Sequence, residues 1–392
     1  MAVSAMLRIM AASSVADDVA ISAGVFDMWH SFVCSDRTRT PRQYCRAVRA
    51  YRMLKWEQPP EIVDVAIPTP GPGEVVVKVA GNGLCHSDLI MTTMPQSIGE
   101  AIGWQMPFTL GHETAGWVHA VGAGVSAVQL GDAVACMSPT SCGACEECVR
   151  GFDNCCENGI AGRGYGRDGG LAEYLLVRNT RELITLRSLD PVIAGVLTDA
   201  GATSYHAVKR VAAKLIPGST AVVIGAGGLG SFAVQFLRVL SPARVIVVDN
   251  NAARRDYALE LGCHDAIDGV DDNTARALRR AIGGRGAHAV LDFVGIDSTI
   301  AVGLGATRPT GAFGLIGAGG GTLTSDWTNH LPKGGEAFTF QGPTIADTRE
   351  VIALAEAGLI RVDVDRFRFD QISEAYDALA GGKLRGRAVV VM

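Results

Sequence analysis

The stretch STAVVIGAGGLG, residues 219–230, decides how the second half of the chain folds. An apolar run over 219–224 predicts a buried strand, and the glycine-rich turn after it leads into a helix predicted over 231–240. In such a turn the first glycine permits the bend, the second lets the backbone approach a phosphate, and the third allows the helix to pack on the strand. The helix N-terminus would then face a pyrophosphate with free N–H groups. The turn residues are Gly225, Gly227, Gly228, Leu229 and Gly230.

An acidic residue after the next strand refines this interpretation. The strand predicted over 244–249 ends in Asp249, and an acid about 20 residues beyond such a turn binds the ribose of a dinucleotide. Its charge favours NAD and repels the additional phosphate of NADP. Arg254 and Arg255 leave NADP as a minor alternative, and Asp249 could instead be an ordinary strand-end turn residue.

The chain beyond Asp249 alternates helical and strand patterns, which is typical of a doubly wound parallel sheet. Ligands bind at the carboxyl edge of such a sheet, so the strand ends at 294–295 and 316–318 are expected to border the cofactor. Helices are predicted over 253–262, 273–282, 300–306 and 348–357, and strands over 265–267, 287–293, 312–317 and 387–391.

The first half of the chain has short alternating segments separated by turns rich in glycine and proline. Many short strands at this spacing indicate a barrel or a sandwich whose chemistry lies in its loops. The fold class is therefore α/β, with a β-rich domain followed by a doubly wound dinucleotide-binding domain. Strands are predicted over 47–51, 61–67, 74–80, 116–121 and 132–136.

Two loops of the β-rich half carry residues typical of a metal site. Cys85 and Ser87 lie in the segment GLCHSD, and His112 and Glu113 lie in the segment GHETAG. A thiolate, an imidazole and a carboxylate can hold zinc and leave one position open for water or substrate. The tripeptide Gly-His-Glu is a weak signal by itself, because a lone histidine is more often a core or surface residue.

Four clustered cysteines predict a second metal site. Their spacing, C-x2-C-x2-C-x7-C, matches a closed tetrahedral zinc site that stabilises the fold, and an iron–sulfur cluster is the alternative. On spacing alone, Cys155 could replace the last cysteine as ligand. The cysteines of the pattern are Cys142, Cys145, Cys148 and Cys156.

Composition limits the remaining possibilities. The chain has 392 residues, 48% of them apolar and 19% charged, with a net charge of −5. This size predicts two domains, and scattered charges argue against nucleic acid or an anionic membrane as partner. No segment is typical of a membrane span or a secretory signal, so we expect a soluble, cytoplasmic protein with reduced cysteines. Residues 1–45 show no sustained periodicity and are expected to be a poorly ordered extension.

These motifs resemble the zinc-dependent medium-chain alcohol dehydrogenases, from about residue 46 to the end of the chain. The similarity is greatest to a bacterial branch that includes secondary-alcohol and aryl-alcohol enzymes. It implies a GroES-like catalytic domain of residues 46–199 and 343–392, and a Rossmann domain of residues 200–342. The matching segments are GLCHSD, GHETAGWVHAVGAGV, the cysteine lobe, LTDAGATSYHA, GAGGLG and the C-terminal GRAVVV.

The resemblance assigns roles around the catalytic metal. It implies that Cys85, His112 and Asp199 hold a zinc ion, although sequence spacing alone would not identify Asp199. Glu113 would approach this zinc during ligand exchange, and Asp88 would fix the tautomer of His112. In the cysteine lobe, the family pattern matches Cys156 rather than its neighbour as the fourth ligand of a structural zinc.

The resemblance also assigns roles in proton transfer and cofactor binding. Ser87 would take the alcohol proton, and His86 and Arg387 would approach the cofactor pyrophosphate. Many members have a histidine where this chain has Ile90, so the resemblance assigns no residue to the final step of proton exit. The stretch 319–343 also diverges, and it borders the substrate pocket or a subunit contact in relatives.

The function implied by the resemblance is reversible oxidation of an alcohol to a ketone or aldehyde, with two zinc ions per chain and hydride transfer to NAD. A homodimer or homotetramer acting on a small-molecule alcohol or carbonyl compound is implied as well. A polyol or formaldehyde dehydrogenase of the same superfamily is an alternative. A zinc-stabilised binding protein without catalysis is another, and the set of Cys85, Ser87 and His112 argues against it.

Overall fold

The computed structural model describes residues 47–138, 140–159, 161–325 and 331–392, so the extension predicted over residues 1–45 lies outside the described residues. The described strands are β1 (Ala47–Met53), β2 (Glu61–Ala66), β3 (Val75–Gly83), β4 (Phe108–Thr109), β5 (Glu113–Val121), β6 (Ala133–Cys136), β7 (Gly162–Arg163), β8 (Gly166–Arg167), β9 (Tyr174–Val177), β10 (Leu183–Thr185), β11 (Thr220–Ile224), β12 (Arg244–Asp249), β13 (Asp265–Asp268), β14 (Ala287–Asp292), β15 (Thr307–Leu315), β16 (Glu336–Phe338), β17 (Val364–Arg368) and β18 (Arg387–Val391). The described α-helices are α1 (His86–Met91), α2 (Gln96–Ala101), α3 (Glu146–Val149), α4 (Pro191–Ala194), α5 (Ala200–Val211), α6 (Gly230–Leu240), α7 (Ala252–Glu260), α8 (Asp272–Ile282), α9 (Asp297–Ala306), α10 (Ile345–Glu356) and α11 (Ile372–Ala380).

The first half of the chain forms mostly antiparallel sheets, as its alternating segments predict. Among the described strands, the larger sheet has the order β10–β6–β5–β3–β18–β17 with β9 also paired to β3, and a smaller sheet has the order β2–β1–β4. The strand predicted over 387–391 is present. It pairs with β3 and β17 in the larger sheet, whereas its apolar run alone predicts a buried strand without indicating which sheet receives it.

The second half forms the parallel sheet that the alternating helices and strands predict. In the described residues its order is β13–β12–β11–β14–β15–β16, and each neighbouring pair is parallel. All five residues of β11 are buried, since helices cover both faces of such a sheet. The register pairs Ile224 with Val248 and with Asp292. The turns after these three strands therefore open at one common edge.

Local capping explains one difference from the predicted elements. Helix α10 begins at Ile345 rather than at Thr348, because Thr344 and Asp347 form a reciprocal capping box. The elements that the sequence does not predict are the strands β4, β7 to β10, β16 and β17 and the helices α1 to α5 and α11. No helix in the described part of the chain is both long and apolar enough to cross a membrane.

Candidate metal centre and cofactor site

Strand register brings the two predicted metal loops together. Gly83 at the end of β3 pairs with Glu113 at the start of β5. Cys85 lies two residues after β3 and His112 directly precedes β5, so the two side chains come close together. Asp199 reaches the same point from the turn before α5. One ligand atom from each of four side chains lies within 4.8 Å of the others, and these side chains are Cys85, His112, Glu113 and Asp199.

His112 is fully buried between two carboxylates. Its Nδ1 lies 3.3 Å from Asp88 Oδ1, and its Nε2 lies 3.5 Å from Asp199 Oδ2. Burial alone would lower the pKa of His112, but Tyr165, Asp88 and Asp199 outweigh it and raise this pKa well above the ordinary value. The Asp88 carboxylate also accepts a hydrogen bond from the backbone N–H of Cys85, at 2.9 Å. Asp88 therefore orients two of the candidate ligands and leaves Nε2 of His112 facing the cluster.

The cluster is a buried site that favours a cation. Burial opposes ionisation of Asp199, yet hydrogen bonding and the charge of His112 lower its pKa to about 2. The Cys85 thiol also has a lowered pKa, because His112 and Arg387 outweigh the effect of burial. Glu113 pairs with the buried Arg387, while its Oε2 has no hydrogen-bond partner among the described residues. A donor set of one sulfur, one nitrogen and carboxylate oxygens fits zinc.

A tyrosine that was not singled out in the sequence joins this cluster. The hydroxyl of Tyr165 lies 2.9 Å from Ser87 Oγ and 3.2 Å from His112 Nε2. Its ring packs on the imidazole of His112, with centroids 4.7 Å apart. Burial raises the pKa of Tyr165 above its ordinary value, so the hydroxyl keeps its proton and can donate it in a hydrogen bond.

A rigid turn presents Tyr165 to the cluster. The backbone of Tyr165 makes two hydrogen bonds with Gly162, of 2.8 and 2.9 Å, between β7 and β8. Gly166 follows in the left-handed region, at a φ of 71°, and a Cβ there would lie 2.4 Å from the Trp104 ring. Trp104 also packs on Tyr165 and Phe108, with centroids 6.0 and 5.9 Å apart. Trp104 and Phe108 are themselves buried in the core, so they support the Tyr165 ring beside the metal cluster.

The four predicted cysteines form a separate cluster at the surface. Sγ of Cys142 lies 4.0 Å from that of Cys148, and Sγ of Cys145 lies 4.0 Å from that of Cys156. Two thiolates bound tetrahedrally to zinc at about 2.3 Å are about 3.8 Å apart, so these spacings fit a structural zinc. Cys155 is exposed and is not part of the group.

Backbone N–H groups support the sulfurs of this cluster. Ala144 and Cys145 direct their N–H groups at Cys142 Sγ, at 3.4 and 3.3 Å. These two hydrogen bonds, together with one from Asn158, lower the pKa of Cys142 to about 6. Cys156 Sγ accepts from the backbone N–H of Cys142 at 3.3 Å. Burial and neighbouring sulfurs instead raise the pKa of Cys148 and of Cys156, so Cys142 is the sulfur among these three that ionises most readily.

The lobe is tied to the segment that leads into α10 through residues next to its cysteines. Asp153 pairs with Arg181 at 2.5 Å and accepts a hydrogen bond from the backbone N–H of Ile345, at 3.4 Å. Asn154 donates to the carbonyl of Gly342, at 3.1 Å. These contacts join the lobe to the start of α10, which is consistent with a stabilising role.

The glycine-rich turn has the predicted geometry. Gly225 adopts a left-handed backbone, with a φ of 85°, directly after β11. A Cβ at Gly230 would lie 1.8 Å from the carbonyl oxygen of Gly225, so the helix packs on the strand only with glycine at this position. Around Gly227 a Cβ would meet nothing nearer than the guanidinium of Arg254, at 3.8 Å. The backbone is therefore open to a ligand at this point.

Asp249 lies beside this turn, as predicted. Its two carboxylate oxygens accept hydrogen bonds from the backbone N–H groups of Ala226 and Asn251, both at 2.8 Å. These bonds are also what an ordinary strand-end residue would make. They leave further lone pairs on both oxygens, since a carboxylate can accept about four hydrogen bonds. Asp249 is thus fixed with the capacity to bind ribose hydroxyls.

Positive charge surrounds the turn on its open side. The side chain of Arg387 would lie 2.6 Å from a Cβ at Gly228, and Arg387 also pairs with Glu113 of the metal cluster. Burial and the charges of Arg387 and Arg254 lower the pKa of His86. Arg387 therefore connects the metal cluster to the cofactor turn, and His86 and Arg254 lie in the same electrostatic environment.

The structure brings together most of the residues that the sequence singled out, in two metal clusters and one cofactor turn. Asp199, which came only from the family resemblance, joins the first cluster. Tyr165 was missed, because a tyrosine between two glycines carries no metal or nucleotide signature. The GYG sequence is the available signal, since it indicates a tight turn that presents one side chain.

Comparisons with known proteins agree with this architecture. The family model described as "Alcohol dehydrogenase GroES-like domain" matches residues 71–188. The model described as "Zinc-binding dehydrogenase" matches residues 228–357. The first therefore covers the metal loops and the cysteine lobe, and the second covers most of the parallel sheet.

Individual relatives resemble the chain over most of its length. An NAD-dependent alcohol dehydrogenase of Sulfurisphaera tokodaii is 33% identical over 353 residues, which are 88% of this chain and 100% of the relative. A D-arabinose 1-dehydrogenase (NADP(+)) of Saccharolobus solfataricus is 31% identical, over 87% of this chain and 97% of the relative. The crystal structure of the alcohol dehydrogenase of Aeropyrum pernix has a TM-score of 0.82 at 32% identity, covering 88% of this chain and 100% of that one.

Proposed function

Because this chain belongs to the zinc-dependent medium-chain alcohol dehydrogenase family, we propose that it oxidises an alcohol reversibly to a ketone or aldehyde, with hydride transfer to NAD. One observation carries the proposal. The ligand atoms of Cys85, His112, Glu113 and Asp199 lie within 4.8 Å of one another. Arg387 links this cluster directly to the glycine turn of the cofactor site.

Each residue of the cluster would have its own role in the oxidation of the alcohol. A zinc ion on Cys85, His112 and Asp199 would supply a Lewis acid that lowers the pKa of an alcohol oxygen. Glu113 would stay paired with Arg387 and take part only when ligands exchange. Ser87 would accept the alcohol proton while its own proton leaves to solvent. The carbon would then release a hydride, which leaves a carbonyl product.

The cofactor site would position the hydride acceptor. NAD supplies the redox chemistry, so the protein contributes binding and orientation. The pyrophosphate would lie on the turn of Gly225 to Gly230 at the N-terminus of α6, with Arg387 and His86 nearby. Asp249 would bind the adenosine ribose, and Arg254 beside Gly227 would add positive charge. The carboxylate of Asp249 favours NAD over NADP.

Apolar alcohols are the substrate class that the site favours. The rings of Trp104, Phe108 and Tyr165 follow one another beside His112. Trp104 and Phe108 are buried and Tyr165 is partly exposed, so the Tyr165 ring is the apolar surface that an alkyl or aryl group would cover, whereas it would leave the hydroxyls of a polyol without partners. This preference agrees with the resemblance to secondary-alcohol and aryl-alcohol enzymes.

Three further features belong to the same proposal. The catalytic domain would consist of residues 46–199 and 343–392, and the cofactor domain of residues 200–342. The protein would act in the cytoplasm, without nucleic acid or membrane as partner. It would assemble as a homodimer or homotetramer, and light scattering of the purified protein measures this state.

A substrate panel with NAD tests the proposed function. Primary, secondary, aromatic and polyol alcohols are compared by the rate of NADH formation, before and after removal of zinc. We expect turnover of apolar secondary or aromatic alcohols, with kcat/KM at least about tenfold above that of polyols, and loss of this activity without zinc. Turnover that persists in the metal-free protein would contradict the mechanism. Preference for polyols would support the alternative dehydrogenase.

A further inference from the structure

We propose that Tyr165 is a positioning residue that sets the direction of the Ser87 hydroxyl and competes with the catalytic metal for Nε2 of His112. The inference rests on the proposed function, because it takes Ser87 as the group that accepts the alcohol proton. It deepens that function by assigning a residue to which neither the sequence motifs nor the comparisons give a role.

The hydroxyl of Tyr165 is held at one point by its surroundings. Its ring packs against the imidazole of His112, with centroids 4.7 Å apart, and against the indole of Trp104, with centroids 6.0 Å apart. Its backbone is fixed by two hydrogen bonds to Gly162. Because the ring packs against two neighbouring rings and the main chain is hydrogen-bonded, the hydroxyl is held close to two polar groups. These groups are Ser87 Oγ at 2.9 Å and His112 Nε2 at 3.2 Å.

The first consequence concerns Ser87. A serine hydroxyl has one proton to donate and two lone pairs that accept. During oxidation one lone pair receives the alcohol proton, while the serine's own proton leaves in another direction. The second lone pair remains for Tyr165, whose hydroxyl oxygen lies 2.9 Å from Ser87 Oγ in a pair where either hydroxyl can donate. Because a tyrosine has a single proton, Tyr165 donates it to Ser87 once a metal has taken Nε2 of His112. In the metal-bound state Ser87 then has one free lone pair and one free proton, so its orientation is set before the alcohol arrives.

The second consequence concerns His112. Asp88 lies at Nδ1, so Nε2 is the nitrogen that faces the cluster and would bind the metal. The hydrogen bond between Tyr165 and Nε2 must break before a metal can take this nitrogen. Tyr165 therefore lowers metal affinity and, once displaced from Nε2, keeps Ser87 as its hydrogen-bond partner. Removal of the hydroxyl is expected to strengthen metal binding while it weakens turnover.

The test is Tyr165→Phe, which keeps the ring and removes only the hydroxyl. Zinc affinity is measured by competition with a chromophoric chelator, and the catalytic equivalent is identified as the one that Cys85→Ala lacks. Because the variant loses one competing hydrogen bond, the Kd of the catalytic zinc ion is expected to fall about fivefold. With the best alcohol of the panel, kcat is expected to fall about tenfold while KM changes less than about twofold. Tyr174→Phe is the matched control, since the Tyr174 ring makes an edge-to-face contact with the imidazole of His119, away from the cluster.

A second variant keeps the proposal testable if Tyr165→Phe disturbs the turn. In a Ser87→Ala background the Tyr165 hydroxyl has no serine to orient, so adding Tyr165→Phe should lower kcat by less than about twofold. Weaker zinc binding in Tyr165→Phe, or fully additive effects on kcat, would overturn the inference. The zinc measurement needs no substrate, so its outcome is separate from failure of the proposed function, which would appear as wild-type protein without turnover.

Discussion

Replacing Asp347 by Asn should destabilise the fold through loss of one buried charge. Asp347 joins α10 to α5, because its carboxylate lies 2.7 Å from Nδ1 of His206 and 3.3 Å from Nζ of Lys209. It also accepts hydrogen bonds from the hydroxyl and the backbone N–H of Thr344. Burial opposes its ionisation, but His206 and Thr344 outweigh this effect and lower the pKa of Asp347 from an ordinary 3.8 to about 2.

The pKa shift sets the magnitude of the effect. A shift of this size corresponds to about 2 kcal/mol of folding free energy, at about 1.4 kcal/mol for each pKa unit. Because the folded state holds Asp347 with a depressed pKa, this stability is fully present above about pH 4. It is lost as the pH falls towards about 2, where both states bind the proton. At neutral pH, Asp347→Asn is therefore expected to lower the free energy of unfolding by about 2 kcal/mol.

Urea unfolding of the zinc-loaded protein measures this effect between neutral and acidic pH. Release of zinc in acid affects wild type and variant alike, so the difference between their unfolding free energies is the quantity to follow. Glu350→Gln is the matched control, because Glu350 also binds Lys209, at 2.8 Å, but both side chains are 45% exposed. This control substitution should lower the free energy of unfolding by less than about 1 kcal/mol. A difference for Asp347→Asn that stays constant with pH, or does not exceed the control, would refute the reasoning.

Three shorter predictions concern the cofactor and the metals. Gly230→Ala places a Cβ 1.8 Å from a carbonyl oxygen, so NADH affinity measured by calorimetry should fall at least about tenfold while zinc content stays unchanged; unchanged affinity would contradict the packing argument. Asp249→Ala should raise the Kd for NADH by about tenfold and narrow the difference between NAD and NADP, and an unaltered preference would assign Asp249 a purely structural role. Cys156→Ser should remove one zinc ion per chain, measured by elemental analysis, and lower the melting temperature, whereas Cys155→Ser should do neither. The opposite result would show that Cys155 is the fourth zinc ligand.

The cofactor half could be predicted in most of its detail, because its signals are local. A buried run, a glycine turn and an acid at the end of the next strand are all read within about 30 residues. The signal for the cysteine lobe is local as well, since four cysteines at this spacing in one short segment are typical of a zinc site. In both cases residues that act together are close in sequence, so their sequence spacing predicts how they are arranged in space.

The catalytic cluster could be predicted only in part, because it is assembled by strand register. Asp199 comes from a turn far along the chain from Cys85, and no spacing rule connects them. Arg387 reaches the cluster because β18 pairs with β3 rather than with the parallel sheet, which its apolar pattern could not indicate. Tyr165 depends on the packing of one small turn against Trp104. The positions of Asp199, Arg387 and Tyr165 therefore all depend on contacts between segments that are not adjacent in the sequence.

Zinc content measured together with turnover tests the central claim most directly, with Asp199→Ala compared with the wild type. The account predicts two zinc ions per chain in the wild type, and one zinc and no detectable NADH formation in Asp199→Ala, with the cysteine lobe still loaded. A variant that keeps both zinc ions and full turnover would show that the cluster of Cys85, His112 and Asp199 is not the catalytic metal site.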